Sequence, residues 1–305
     1  MLTRKDTMGK KGKRYWINLI IFVLFLFCIA FVFVLSLASY KSIRNFLHPQ
    51  RRQRSVDNTP EKFGIEYENI QLVTKDGIEL AAWYTPSKNG ALILVGHGHS
   101  DSRSPEHFAM YARNGYGVLA WDFRAHGESS GEDSTIGYYE SLDVEAALNF
   151  GLQQKNIEHI GAWGGSMGGA AVLETASRRE EIEAVVLDST FATLEDELNK
   201  LISSKIFLPF VRFFAEKETG LNIDMLRPVD RIKEISPRPV MIIQGEEDPV
   251  IPIDSAQILY EAAGDPRFLW TETGVGHVGM YSVYPVLYEA QVISFFDRYL
   301  LNNSE

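Results

Sequence analysis

The hydrophobic positions of this chain follow two regimes. Residues 17–38 form one continuous apolar run without a charged side chain. As a helix rising 1.5 Å per residue, such a run extends roughly 33 Å, enough to cross a hydrocarbon layer about 30 Å thick. Tyr15, Trp16 and Tyr40 flank it where an interfacial aromatic belt lies. Ser36-Leu37-Ala38 offers a small-x-small cleavage site, but the apolar core of a signal peptide runs about 7–15 residues and this one is longer. The pattern therefore predicts a basic tail at 1–14, one transmembrane signal anchor at 15–40, and a polar, proline-punctuated stalk at 41–62, followed by a single large domain at 63–305.

Beyond the stalk the runs are short and alternate with helical patterns. Residues 67–73 and 79–84 read as a hairpin around Lys75-Asp76-Gly77. Six continuous apolar runs follow at 91–95, 117–121, 160–163, 184–187, 240–243 and 268–271, the signature of strands buried on both faces of a sheet. Helical stretches are expected at 105–113, 139–152, 167–176, 255–263 and 283–301. Strand alternating with helix predicts an α/β domain whose mostly parallel, eight-stranded sheet carries helices on both faces. Residues 191–237 break the alternation with helical, partly aromatic sequence, including Ile206-Phe207-Leu208-Pro209-Phe210 and Phe213-Phe214. That segment reads as a short helical insertion over the strand ends. It is either a lid or a helix pair covering the core.

Charge separates the head from the body. Residues 1–54 hold 11 Lys and Arg against the single acid Asp6, whereas the whole chain carries a formal net charge of −10. The body is thus strongly acidic, which argues against nucleic acid as a partner. Arg4, Lys5, Lys10, Lys11, Lys13 and Arg14 precede the apolar run, and Lys41, Arg44, Arg51 and Arg52 follow it closely. That imbalance favours a single-pass protein of the cell membrane with a cytoplasmic N-terminus and the large domain outside. Cys28 is the sole cysteine, which excludes an internal disulfide and thiolate-built zinc sites.

The strongest chemical signal is Gly164-Gly165-Ser166-Met167-Gly168. It matches G-x-S-x-G between a predicted strand and a predicted helix, where a sharp turn lifts a serine clear of the sheet and leaves no room for flanking side chains. The new helix also directs amide N–H groups toward any negative charge forming beside the hydroxyl. A serine needs a base, and the base needs an orienting acid. On such a sheet the expected chain order is Ser, acid, His, with each partner in a loop at the C-terminal end of a strand. Asp248 and His277 satisfy that order. Glu246, Glu247 and Asp188 compete for the acid's role; Asp248 is favoured because a short acid followed by Pro249 is held more rigidly.

Gly96-His97-Gly98-His99 with Asp101 raises a second possibility, since His-x-His-x-Asp resembles half of a binuclear zinc motif. The histidine expected after the aspartate is missing, as position 102 is Ser. Of the later histidines, His107, His126 and His159 complete no ligand set, and His277 is better used as the base. No metal or other cofactor is expected.

Taken together, these motifs make residues 65–302 resemble the serine-hydrolase branch of the α/β-hydrolase superfamily, close to its membrane-anchored, monoacylglycerol-lipase-like and prolyl-aminopeptidase-like members. The resemblance rests on the His97-Gly98 turn, Asp122-Phe123-Arg124-Ala125-His126-Gly127-Glu128-Ser129, the Ser166 turn, the Asp248 segment and His277. The family's D-x-R-G-x-G-x-S pattern is altered only at Ala125, which replaces the first glycine. The resemblance implies an α/β-hydrolase fold. It also implies an oxyanion hole formed by the backbone N–H groups of His99 and Met167, with His97, Gly98, Arg124 and His126 supporting the adjoining loops. The expected activity is serine-dependent hydrolysis of an ester or related acyl compound, a small molecule or a lipid. A peptidase or thioesterase on the same fold, and a catalytically silent binding protein, are the rivals; Ser166 in the nucleophile position excludes haloalkane dehalogenation.

Overall fold

The computed structural model describes residues 5–51, 57–202 and 204–301. Helix α1 (Lys5–Leu47) carries the apolar run, and among the described residues it is the one helix long and apolar enough to cross a membrane. It does not stop where the stalk was expected. Lys41-Ser42-Ile43-Arg44-Asn45-Phe46-Leu47 contains no helix breaker, so the helix continues to Leu47, two residues short of Pro49. The expected stalk residues 52–56 lie outside the described residues.

Eight strands form one sheet in the order β1-β2-β4-β3-β5-β6-β7-β8. These are β1 (Glu68–Val73), β2 (Glu79–Thr85), β3 (Ala91–Gly96), β4 (Gly117–Trp121), β5 (His159–Gly165), β6 (Ala184–Asp188), β7 (Val240–Gly245) and β8 (Arg267–Glu272). β2 runs antiparallel to both β1 and β4, and every other pairing is parallel. β3 shows why the central strands read as unbroken apolar runs. Leu92 and Leu94 point into one buried cluster, while Ala91, Ile93 and Val95 point into another on the opposite face. The first cluster is closed by α3 (Glu140–Gly151), α4 (Met167–Ala176), α7 (Pro228–Ile232) and α8 (Ile253–Ala262). The second is closed by α2 (Pro105–Arg113) and α10 (Pro285–Phe296).

The helix expected at 283–301 is divided. A short α9 (Met280–Val283) precedes α10, and a wider π-helical turn spans Asp297–Leu301. Tyr284 sits outside the helical region at φ −125°, ψ 57°, as the residue before Pro285 is pushed to do. Between β6 and β7, the 191–237 segment supplies α5 (Leu194–Leu201), α6 (Leu208–Thr219) and α7. α6 lies against α1, with Val211 and Ala215 in the same buried cluster as Ile43 and Leu47.

Candidate active site

The turn from β5 into α4 is sterically dictated. Ser166 adopts φ 52°, ψ −118°, a strained conformation for a residue with a side chain, and its amide donates to the Asp188 carbonyl at 2.7 Å. A Cβ on Gly164 would lie 2.5 Å from the Gly168 backbone, and one on Gly168 would lie 2.4 Å from the Gly96 carbonyl oxygen. Both outer glycines of the motif are therefore required by close backbone approach. A Cβ on Gly98 would meet the Ser166 Cβ at 3.4 Å, so the turn after β3 passes directly beside the serine.

Asp248 and His277 meet at the same end of the sheet. His277 Nδ1 donates to Asp248 Oδ2 at 2.7 Å; the aspartate side chain is fully buried, while the imidazole keeps 25% of its surface exposed. The other carboxylate oxygen accepts the amides of Val250 and Ile251 at 2.8 and 2.9 Å. Gln244, buried at the end of β7, donates from Nε2 to Oδ2 at 2.9 Å. Burial alone pushes the Asp248 carboxyl up. The hydrogen bond and charge of His277, with the two amides, outweigh it and hold the carboxyl below its ordinary value.

The histidine loop is tied to the serine turn. The amide of Val278 donates to Ser189 Oγ at 2.9 Å, and a Cβ on Gly165 would touch Val278 at 3.5 Å. Ser166 Oγ itself makes no hydrogen bond among the described residues.

The rival acids are engaged elsewhere. Asp188 is buried and receives the Tyr288 hydroxyl at 2.9 Å, and burial pushes its carboxyl up to about 6. Glu246 accepts from Thr271 Oγ1 and, like Glu247, is exposed.

The amides of His99 and Met167 donate to no carbonyl among the described residues. Met167 follows Ser166 as the first residue of α4, and His99 follows Gly98 in the turn after β3 that passes beside the serine. Neither histidine of the His-x-His pair offers a free ring nitrogen. His97 Nδ1 donates to the Gly98 carbonyl at 2.7 Å, and its Nε2 accepts the Phe123 amide at 2.9 Å. His99 Nε2 lies 2.9 Å from the Phe46 carbonyl and Nδ1 3.1 Å from Ser100 Oγ. Burial lowers both imidazoles, His99 to about 4, so they are neutral struts.

Arg124 links Asp143 and Asp76, its head group within 2.7–3.1 Å of both carboxylates. His126 meets His97 and His99 edge to face at centroid distances of 5.3 and 5.5 Å, with Nδ1 on the Arg124 carbonyl. Sequence reasoning passed over Gln244, Ser189, Asp143 and Glu140. Glu140 is fully buried and accepts from Ser134, Thr135 and Gly137, fixing the loop before α3. A lone buried polar side chain leaves no periodic signal, whether its partner is far along the chain, as for Ser189, or a few residues away, as for Glu140. Only the polar residue in an otherwise apolar run, as at Gln244, hints at such a role.

The topology and the turn after β5 define an α/β-hydrolase fold. A family model for the alpha/beta hydrolase fold matches residues 91–205. The chain is 29% identical over 242 residues to the uncharacterized Escherichia coli K12 protein YfhR, covering 75% of this chain and 80% of that one. It is 26% identical over 241 residues to protein bem46 of Schizosaccharomyces pombe, covering 75% and 77%. Among solved structures, the Pyrococcus furiosus esterase Pf2001 superposes with a TM-score of 0.69 at 25% identity, over 83% of this chain and 99% of that one. The topology and these matches agree on the α/β-hydrolase fold.

Proposed function

We propose that this protein is a serine-dependent acyl hydrolase of the carboxylesterase or lipase type, held at the cell membrane by residues 15–40. The observation that carries this reading is the 2.7 Å bond between His277 and Asp248, in a loop tied beside the strained Ser166 turn. The likeness to an archaeal esterase supports it. In this reading Ser166 Oγ attacks the acyl carbon while His277 Nε2 takes its proton, and Asp248 fixes the tautomer and stabilises the imidazolium. The amides of His99 and Met167 hold the oxyanion. The imidazolium then protonates the departing alcohol, and His277 deprotonates the water that releases the acid from Ser166.

An uncleaved helix with six basic residues before it orients the domain outward. Proximity of the site to an apolar helix favours lipid-like acyl esters over freely diffusing polar ones. Fluorophosphonate labelling of the full-length chain in detergent, with mass mapping of the adduct, tests the reading. Capture at Ser166, abolished in Ser166→Ala, is the expected result. A folded protein that takes no label would make it a binding protein.

A further inference from the structure

The end of α1 is built into the candidate site. Leu35, Ser39, Ile43 and Leu47, spaced four apart, are the buried residues of its final turns, so one face of the helix is committed to the domain. Tyr40 meets Phe214 of α6 edge to face at 5.3 Å. An α-helix leaves its last four carbonyls without partners inside the helix. Here two of them are received by the loops that flank Ser166. The Phe46 carbonyl is 2.9 Å from His99 Nε2, and the Leu47 carbonyl accepts the Ser134 amide at 2.7 Å. Ser134 Oγ in turn lies 3.4 Å from Met167 Sδ. The Phe46 ring also stacks on the His99 imidazole at 5.0 Å. Beyond the helix, Arg51 donates to the carbonyls of Ser129 and Gly131, earlier in the segment that carries Ser134.

We propose that Phe46 is a positioning residue for the oxyanion hole: its ring, packed on the His99 imidazole beside the hydrogen bond to its carbonyl, holds His99 in the orientation that aims the His99 backbone amide at the developing charge. This rests on the serine-hydrolase reading above. The neutral imidazole has one ring N–H to give. With Nδ1 facing Ser100 Oγ, that N–H is at Nε2 and goes to the helix end. Both faces of the interaction, ring stacking and hydrogen bond, fall on one residue of α1. The anchor is therefore more than a tether, because a chain cut after it loses the acceptor that orients one of the two oxyanion donors.

The test uses full-length protein in lipid nanodiscs, comparing Phe46→Ala, Phe46→Leu and Phe46→Tyr. Hydrolysis of p-nitrophenyl butyrate gives kcat and KM, and a butyl trifluoromethyl ketone, whose hemiketal oxyanion occupies the same hole, gives an inhibition constant. Complete loss of one oxyanion donor costs about 10²–10³ in kcat, so a misaimed donor is expected to cost about 10-fold or more. Phe46→Ala should lower kcat by that factor with KM within about twofold and weaken the ketone in parallel, while Phe46→Tyr should restore both. Phe46→Leu keeps the apolar contact with the domain; should the alanine form not fold, the leucine form carries the same expectation for kcat and the ketone. Unchanged kcat and ketone affinity in a variant that folds overturn the inference, as does a loss confined to KM. If Ser166 of the parent takes no fluorophosphonate, or Ser166→Ala still turns over ester, the functional reading falls and the inference with it. Failure of the Phe46 variants in an enzyme that labels at Ser166 removes the inference alone.

Discussion

Gln244 Nε2 donates to Asp248 Oδ2 at 2.9 Å, the same oxygen that receives Nδ1 of His277 at 2.7 Å. With the amides of Val250 and Ile251 on the other oxygen, the carboxylate has four donors converging on it. Such an arrangement fixes both the ionisation of the acid and the direction in which it presents a lone pair to the histidine. Gln244 also reaches the Ile251 carbonyl at 2.9 Å, so one buried amide organises the whole turn after β7.

The first prediction concerns which acid serves His277. Asp248→Asn presents an amide where the ring needs an acceptor and stabilises the wrong tautomer, a change that costs about 10⁴ in kcat in serine hydrolases built this way. Asp188→Asn, Glu246→Gln and Glu247→Gln leave the Asp248–His277 bond in place and should retain kcat within about tenfold. Steady-state hydrolysis by the four variants decides it; a loss at Asp188 equal to that at Asp248 would show the assignment to be wrong.

Gln244→Leu tests the support of that acid. A buried carboxylate loses one donor and the Ile251 carbonyl loses its partner, which should cost about 1–3 kcal/mol of stability. Thermal unfolding should show a lower Tm, and kcat should fall less than in Asp248→Asn because the His277 bond itself survives. A Tm equal to that of the parent would mean that solvent or a side-chain shift replaces the amide.

Two glycines of the site separate steric demand from mere position. A Cβ on Gly168 would press within 2.4 Å of the Gly96 carbonyl oxygen and 2.6 Å of that of His97, whereas a Cβ on Gly276 meets nothing within 4 Å. Gly168→Ala must push the β3 turn away from α4, with an overpacking cost of about 1–3 kcal/mol and displacement of the His99 amide. Gly276→Ala, one residue from His277, should change kcat by less than about twofold, since nothing there must move. Parallel measurements of Tm and kcat on the two variants check both halves.

The fold was legible because each element announced itself locally. The run at 91–95 became β3, Pro105 opened α2 as expected, and Gly164 to Gly168 marked the turn without help from the rest of the chain. The order Ser166, Asp248, His277 directed attention to two residues that the structure brings within 2.7 Å. What escaped was long-range. Polar sequence at 41–62, with prolines at 49 and 60, reads as a stalk, because the contacts of its first residues are backbone carbonyls and the two buried side chains Ile43 and Leu47, which hydropathy alone does not distinguish from a solvated helix. Ser189 escaped for the same reason, since its partner lies 89 residues away. Glu140 is the exception: its partners Ser134, Thr135 and Gly137 are local, but a lone buried acid serving a loop forms no pattern.

The last prediction is a pH dependence of stability that belongs to Asp188 and is separate from catalysis. Burial raises its carboxyl to about 6, above the unfolded value of about 3.9, although the Tyr288 and Ser189 hydroxyls partly oppose the shift. The native state therefore holds a proton that the unfolded chain has released between those two values. Stability from this group is complete below about pH 4 and is lost as pH rises toward 6, because the slope is negative wherever the native state binds more protons. At about 1.4 kcal/mol per unit, the loss is on the order of 2–3 kcal/mol across the window. Asp188→Asn removes the titration while keeping an acceptor for Tyr288. Chemical unfolding at pH 4, 5, 6 and 7 should show the parent losing stability over that range relative to Asp188→Asn, and matching slopes for the two proteins would mean that Asp188 is ionised throughout. The acid of the proposed mechanism is a different group. Asp248 lies below its ordinary value, so its contribution is present at neutral pH and is lost only as pH falls through that depressed value.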